Sequence, residues 1–306
     1  MPTAVKKPAM SMPPLYYRGA MSGRPRVLYI LLLLGVTAVW GWTFVVVKDA
    51  IAELPPLPFL GLRFLIATAV MVVAVRRVPD RRTLAIGSLI GLPLAGGYLL
   101  QTVGLRFTSP GNAGLITGLF FVFTPLLDRL FGVRIRLRTV LAVALALVGT
   151  VLLTGAGRFG IGLGDALIVG CAICFALQIV LLSRWSRGFA SDELTLVQLA
   201  TCAVLFMIGG APQLRAPSAS VWAALVITGV FASAVAFFVQ TWVQSHLTAS
   251  RTALALASEP VWALFFSVLL AGQRLDTLQA LGAALVIAAI VGQELPIREA
   301  EGTDVR

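Results

Sequence analysis

Along most of this chain apolar residues follow one another with little polar alternation, and the runs are long. They cover about 28–48, 58–75, 84–105, 111–131 and 139–155, then 163–183, 194–210, 220–243, 249–271 and 277–293. Each is close to the ~20 residues an α-helix needs to cross the hydrocarbon core of a bilayer. Lipid offers no partner to backbone N–H and C=O groups, so apolar runs of this length predict helices, which satisfy those groups internally. Breaks of proline, glycine or charge separate the runs at Glu53-Leu54-Pro55-Pro56, Arg76 to Arg82, Arg134 to Arg138, Arg158 to Gly164 and Ala211 to Ser220. The expected fold is an all-α polytopic membrane protein with ten transmembrane helices.

The profile is also written twice. Leu100-Gln101-Thr102 recurs as Val239-Gln240-Thr241, 139 positions later, and Thr108 to Ala113 aligns with Thr248 to Ala253 at an offset of 140. Arg134, ending the fourth run, aligns with Arg274. Few letters match, so hydropathy carries the repeat. Five helices per copy make the copies antiparallel, two inverted five-helix repeats (5+5), an arrangement found in transporters. The expected units are a disordered cytoplasmic tail at 1–26, repeats at 27–156 and 162–293, and a cytoplasmic tail at 294–306.

The basic residues test the count independently. With the N terminus inside, the cytoplasmic segments hold 18 of the 24 Lys and Arg, from Lys6 through Arg306, and the outer segments hold five: Lys48, Arg106, Arg158, Arg215 and Arg274. Arg63 lies within the second run. That bias satisfies the positive-inside rule for ten helices with both termini cytoplasmic. It also accounts for the net charge of +11 as topology signals and anionic-lipid contacts. No nucleic-acid partner is expected. The chain is 58% hydrophobic and 12% charged, about half the charged fraction of a soluble domain.

Polar side chains at membrane depth must face protein or a cavity, which makes each a candidate for function. Glu259 sits about ten residues into the ninth run, beside Pro260, which removes an amide from the helix interior. Two readings stand for this pair: a gating or proton-coupling site, and a buried carboxyl hydrogen-bonded between helices. Arg63 is expected about six residues inside the second run, as an anchor for a substrate carboxylate, half of a closing ion pair, or a side chain snorkelling to the interface. Tyr98, Gln101 and Thr102 share one face of the third run; Gln240, Thr241 and Gln244 share one face of the eighth. These runs are repeat-equivalent, so the two faces are expected to meet across a pseudo-two-fold axis. Asn112, Thr117 and Gln178 add further amides and hydroxyls, and Trp40 and Trp262 are the aromatic candidates for the same cavity. Trp42 and Trp242 read as interfacial anchors.

Gly87-x-x-x-Gly91 and Gly114-x-x-x-Gly118 predict close helix contacts, and Pro93 and Pro125 predict kinks. Cys171 and Cys174 have the C-x-x-C spacing, but there is no second cysteine pair, and the single histidine, His246, is remote in sequence. They read as small residues on one helix face, with no metal or cofactor expected.

At these residues a resemblance enters. Gly104-Leu105-Arg106-Phe107-Thr108-Ser109-Pro110-Gly111-Asn112-Ala113 with Ile116-Thr117-Gly118-Leu119 resembles the first-repeat signature of the drug/metabolite transporter superfamily, EamA type. Thr248 to Arg251, Ser258-Glu259-Pro260-Val261 and Gly272-Gln273-Arg274-Leu275 resemble the second-repeat signature. Trp40 to Phe44 with Lys48, and Leu62-Arg63-Phe64, are similar to its first and second helices. The resemblance covers about 28–293. It implies an inner-membrane exporter of two inverted five-helix repeats around a central cavity, with amino acids and related small metabolites as cargo. It also makes Glu259-Pro260 a general feature, favouring a structural or gating role. Two loops depart from the pattern: Gln273 stands where the family often has Glu, and Gly132 to Arg134 lacks that acid too.

The reading favoured is a secondary transporter exporting amino acids or related metabolites by alternating access, with a flippase for a lipid-linked substrate as the alternative. The expected partners are a small-molecule substrate and the bilayer, and the chain is expected to act as a monomer. An enzyme is not expected: clustered His, Asp or Cys are missing. ATP-driven transport is not expected either, since the chain has no G-x-x-x-x-G-K-[ST] motif.

Overall fold

The computed structural model describes residues 23–108, 110–154, 162–271 and 276–294, and every regular element among them is helical. The helices are α1 Gly23–Glu53, α2 Pro56–Val75, α3 Arg81–Gly104, α4 Pro110–Gly118, α5 Phe120–Leu130, α6 Leu137–Thr154, α7 Leu163–Trp185, α8 Ser191–Gly210, α9 Ala219–Val226, α10 Ala236–Gln244, α11 Ala249–Leu256, α12 Glu259–Ala271 and α13 Thr277–Glu294. All ten apolar runs are helical. Eight helical stretches among the described residues are long and apolar enough to cross a membrane. The stretch Leu137–Leu152 is apolar but shorter, and the run at 249–271 is interrupted. α1 starts at Gly23, inside the stretch expected as a disordered tail.

Local chemistry sets the ends. Pro56 opens α2, where its missing N–H costs nothing, and Arg76 ends it in the left-handed conformation at φ 53°. Asp80 caps α3, accepting from the Thr83 amide at 2.7 Å. Thr248 does the same for α11 through the Arg251 amide at 3.4 Å.

The ninth run departs from expectation. Glu259 does not lie within a continuous helix; it opens α12 after a break at Ala257 and Ser258. The Ala257 amide turns back to the carbonyls of Ala253 and Leu254, and Pro260 has no amide for the Leu256 carbonyl. The fourth run breaks at Leu119, between α4 and α5, which is the position 140 residues before Glu259. The eighth run, Ala219–Gln244, is unbroken but wound as a π-helix over Ile227–Val235.

α2 packs on α8, α6 on α13, and α3 on both α7 and α8; α1 lies against α10 and α12, and α5 against α7 and α11. The Gly87-x-x-x-Gly91 seam makes the close contact expected of it. A Cβ on Gly87 would meet Val197 at 2.6 Å and one on Gly91 the Gln198 carbonyl at 3.0 Å. Gly114 and Gly118 make no such seam, their nearest neighbours standing at 3.8 and 3.9 Å. The outward surface is apolar, with Leu31, Val72, Val73 and Ile208 all exposed, as lipid contact requires.

Candidate functional site: a polar cavity inside the bundle

Polar residues from several of the apolar runs converge on one cavity of about 660 Å³, counting its mouth. α1 supplies Trp40, Thr43, Phe44 and Val47, and α2 supplies Arg63. α3 supplies Tyr98, Gln101, Thr102 and Leu105. Thr117 and Phe120 flank the break between α4 and α5, while Leu256 and Glu259 flank the break between α11 and α12. α7 adds Phe175, Gln178 and Ile179; α10 adds Phe237 and Gln240. Of the residues expected to line a pathway, Trp40, Arg63, Tyr98, Gln101, Thr117, Gln178, Gln240 and Glu259 stand together here. Trp262 does not join them: its ring packs against Phe265 and Phe266. The side chain of Asn112, and all of Gln273, lie outside the described residues. Pro260 sits behind the wall, 3.9 Å from where a Cβ on Gly118 would stand.

Arg63 is buried at 3% exposure, so it does not snorkel. Its Nε donates to Ser233 Oγ at 2.9 Å and its Nη2 to the Tyr98 hydroxyl at 3.2 Å. The guanidinium also lies 4.7 Å from the centroid of the Tyr98 ring, a cation–π distance. No carboxylate among the described residues pairs with it. Ser233 belongs to the π-helical stretch, and that winding is part of the site. A π turn displaces carbonyls from their usual i+4 amides, and the Ala232 carbonyl accepts from Trp40 Nε1 at 2.9 Å. Gly229 lets the same stretch close on α2, since a Cβ there would stand 3.0 Å from the Arg63 carbonyl.

Among α7, α8 and α10 the glutamines form a ladder. Gln240 Nε2 donates to Gln178 Oε1 at 3.3 Å and to Gln244 Oε1 at 2.8 Å. Gln178 Nε2 donates to Gln198 Oε1 at 3.1 Å. Gln101 Nε2 reaches Thr117 Oγ1 at 3.2 Å. Tyr98 on α3 and Phe237 on α10 meet edge to face at 5.9 Å between centroids. Trp40 and Phe237 stand 5.4 Å apart, and Tyr98 and Phe175 5.3 Å.

Sequence reasoning missed Gln198, Ser233, Phe175 and Phe237. Gln198 carried the signal used for Gln178, an amide in an apolar run. Phe175 and Phe237 each precede a cavity glutamine by three residues and so share its face. Nothing in the letters marked Ser233, whose role depends on the π winding. Cys171 and Cys174 are free thiols, Cys171 lying 4.0 Å from Thr117 Oγ1. The described residues hold no group of three or more His, Cys, Asp or Glu placed to bind a metal.

Residues 27–155 and 162–292 each match the model of the EamA-like transporter family. An uncharacterized transporter of Archaeoglobus fulgidus is 33% identical over 278 residues, 90% of this chain and 88% of its own length. The uncharacterized inner membrane transporter YedA of Escherichia coli K12 is 27% identical over 269 residues, 85% of this chain and 88% of its own. A probable amino-acid metabolite efflux pump of Salmonella typhimurium is 33% identical over 133 residues, 42% of this chain and 44% of its own. One solved structure superposes with a TM-score of 0.74 at 21% identity, over 88% of this chain and 98% of the other; at that identity the likeness is one of fold.

Proposed function

This chain belongs to the EamA-like transporter family and is a multi-pass membrane protein, and from that premise we propose that it is a secondary exporter of amino acids or related small metabolites, working by alternating access in the inner membrane. The observation that carries the reading is the cavity, in which a buried cation, a carboxyl, three amides, four hydroxyls and a set of aromatic rings line one space between helices from both repeats. Ligand sites combine apolar walls with a few placed polar groups in this way. The amino-acid assignment is supported by the likeness to the Salmonella protein, a probable amino-acid metabolite efflux pump.

The proposed topology has ten spans in two inverted five-helix repeats, with both termini cytoplasmic. α6 and the interrupted α11–α12 pair are the two spans added to the eight stretches long and apolar enough to cross a membrane. Exchanging the two halves maps the contact of α2 with the π stretch onto that of α3 with α8, and the contact of α1 with α12 onto that of α5 with α7. Such exchange is expected of two repeats related by a two-fold axis, and it supports the two-repeat reading. In alternating access, the breaks at Leu119 and at Ala257–Ser258 serve as the points about which α4–α5 and α11–α12 bend. Glu259, at the second break, is the residue proposed for gating or proton coupling.

Cells overproducing the chain should expel an amino acid or a toxic analogue of one, and equal accumulation with and without the protein across a broad panel would overturn the export reading. Coupling is tested with Glu259→Gln in proteoliposomes under an imposed pH gradient. Transport that keeps the same gradient dependence would sink the proton-site assignment.

A further inference from the structure

We propose that the cavity reads its cargo at two chemically opposite poles, Arg63 for an anionic group and Gln240 Oε1 with Glu259 for an N–H donor, so that the transported molecule is a small zwitterion. The inference rests on the export reading above and adds which atoms select the cargo.

The anionic pole follows from the partners of Arg63. Both are neutral hydroxyls, Ser233 and Tyr98, and they hold the guanidinium in place without cancelling its charge. A buried cation without a counter-charge is costly. Nη1 makes no hydrogen bond to a described residue, and the side chain lines the cavity. A carboxylate arriving there restores the missing charge and meets a donor aimed at it.

The second pole follows from the direction of the amide ladder. Gln244 Nε2 donates to the Ile179 carbonyl at 3.0 Å and to Ser183 Oγ at 2.9 Å. Gln198 Nε2 donates to the Leu194 carbonyl at 3.2 Å. Backbone carbonyls only accept, so these two contacts set which end of each amide is nitrogen. With Gln244 and Gln198 oriented, each offers an oxygen, to Gln240 and Gln178 respectively. Gln178 then offers its own oxygen to Gln240. Both amide hydrogens of Gln240 are therefore used inside the protein. Its Oε1, in a residue 2% exposed, has no partner. An orphaned buried acceptor carries a desolvation cost that a donor from outside removes. Glu259 lines the same cavity, accepts no hydrogen bond from a described residue, and adds a second acceptor. An ammonium group meets both requirements.

The test uses the full chain in nanodiscs and reads the thermal midpoint against three probe sets: the L-amino acids, their methyl esters, and their deamino carboxylic-acid analogues. At least one amino acid should stabilise the protein, with its ester and its deamino analogue each weaker by about tenfold or more, the worth of one lost charge-assisted contact. Arg63→Gln should bring the acid-to-ester ratio to near one while leaving discrimination against the deamino analogue. Glu259→Gln should do the reverse. The comparison of ligands on the unaltered protein stands even where a variant fails to fold. Ester and deamino analogue binding within about twofold of the parent would overturn the two poles and leave export standing. So would the absence of any shift across the panel, because export itself is read by the efflux assay.

Discussion

Thr37 on α1 and Ser258, at the break between α11 and α12, share a hydrogen bond of 2.8 Å deep in the bundle. The two hydroxyls are also within reach of the Leu34 and Ala255 carbonyls, each at 2.9 Å. With one proton each, they can make only two of these three bonds. α1 therefore grips the second repeat one residue before Glu259, at a point where the helix has given up its own ladder.

Thr37→Val keeps the shape and removes that grip, while Ser258 keeps the Ala255 carbonyl. The expected cost is about 1 kcal/mol, the usual net worth of one buried hydrogen bond, read as a lower unfolding midpoint in detergent. Thr37→Ser should retain most of the stability. Loss of equal size in both variants would mean that the hydroxyl contact contributes nothing.

Gly149 lets α6 close on the backbone of α13 at Gly282. A Cβ on Gly149 would stand 2.7 Å from the Gly282 carbonyl oxygen and 2.9 Å from the Val286 amide. Backbone on both sides cannot yield as a side chain does, so Gly149→Ala should destabilise by about 1–3 kcal/mol through overpacking. Gly118→Ala, with 3.9 Å to its nearest neighbour, should leave the midpoint nearly unchanged. Paired melts of the two variants decide it.

This contrast also marks where the letters stopped being informative. Gly114 and Gly118 had the spacing associated with helix seams, yet the break at Leu119 points them at ordinary contacts, while isolated Gly149 and Gly282 meet. Spacing tells which residues share a helix face and leaves open what that face touches. The cavity was legible for a different reason. A polar group in hydrocarbon needs a partner, so Arg63, Tyr98, Gln101, Gln178 and Gln240 had to turn inward together, wherever the helices crossed. Trp262 carried no such obligation, being at home on an aromatic cluster as much as in a cavity. The π winding at Ile227–Val235 contains no proline and gives no local signal. Its contacts, Gly229 closing on α2 and Trp40 donating to the Ala232 carbonyl, are tertiary.

Outside the membrane spans, two carboxyls should make stability pH-dependent. Glu53 accepts from Ser218 Oγ at 2.7 Å and from the Ser218 amide at 2.9 Å. Those bonds, the side-chain one first, hold it below the usual carboxylate range. Asp80 is held low chiefly by the Thr83 amide. A carboxyl whose native pKa is depressed stabilises the fold while ionised and stops doing so as pH falls through that pKa. Both contributions should thus be full at neutral pH and fade below about pH 4, the ordinary carboxylate value. Melts of Glu53→Ala and Asp80→Ala should lie below the parent at pH 7 and converge on it as the pH approaches about 3. A gap that stays constant over that range would exclude the ionised carboxylates as its source.

Beyond Val47 and Leu105 in the cavity wall, a strap joins three elements. Lys48 Nζ donates to the Leu105 carbonyl and, at 3.0 Å, to the Thr108 carbonyl. Thr108 Oγ1 in turn donates to Asp165 Oδ1 at 2.8 Å. α1, the turn after α3 and the start of α7 are thereby tied together at one end of the bundle, around residues that the cavity reaches. Any cycle that opens this end must break the strap, and any cycle that closes it again must re-form it. Asp165→Asn keeps the shape and weakens the last link, because a neutral amide oxygen accepts less strongly than a carboxylate. Lys48→Met removes the first two links. Neither residue lines the cavity, so ligand affinity, read by thermal shift, should stay within about twofold in both. The transport rate should fall by several-fold as the population of closed protein drops, by about tenfold for each 1.4 kcal/mol taken from the closed state. Lys48→Met should show the larger effect. Affinity lost in proportion to rate would place Lys48 and Asp165 in the binding site instead, and unchanged rates in both variants would mean that this end does not open during transport.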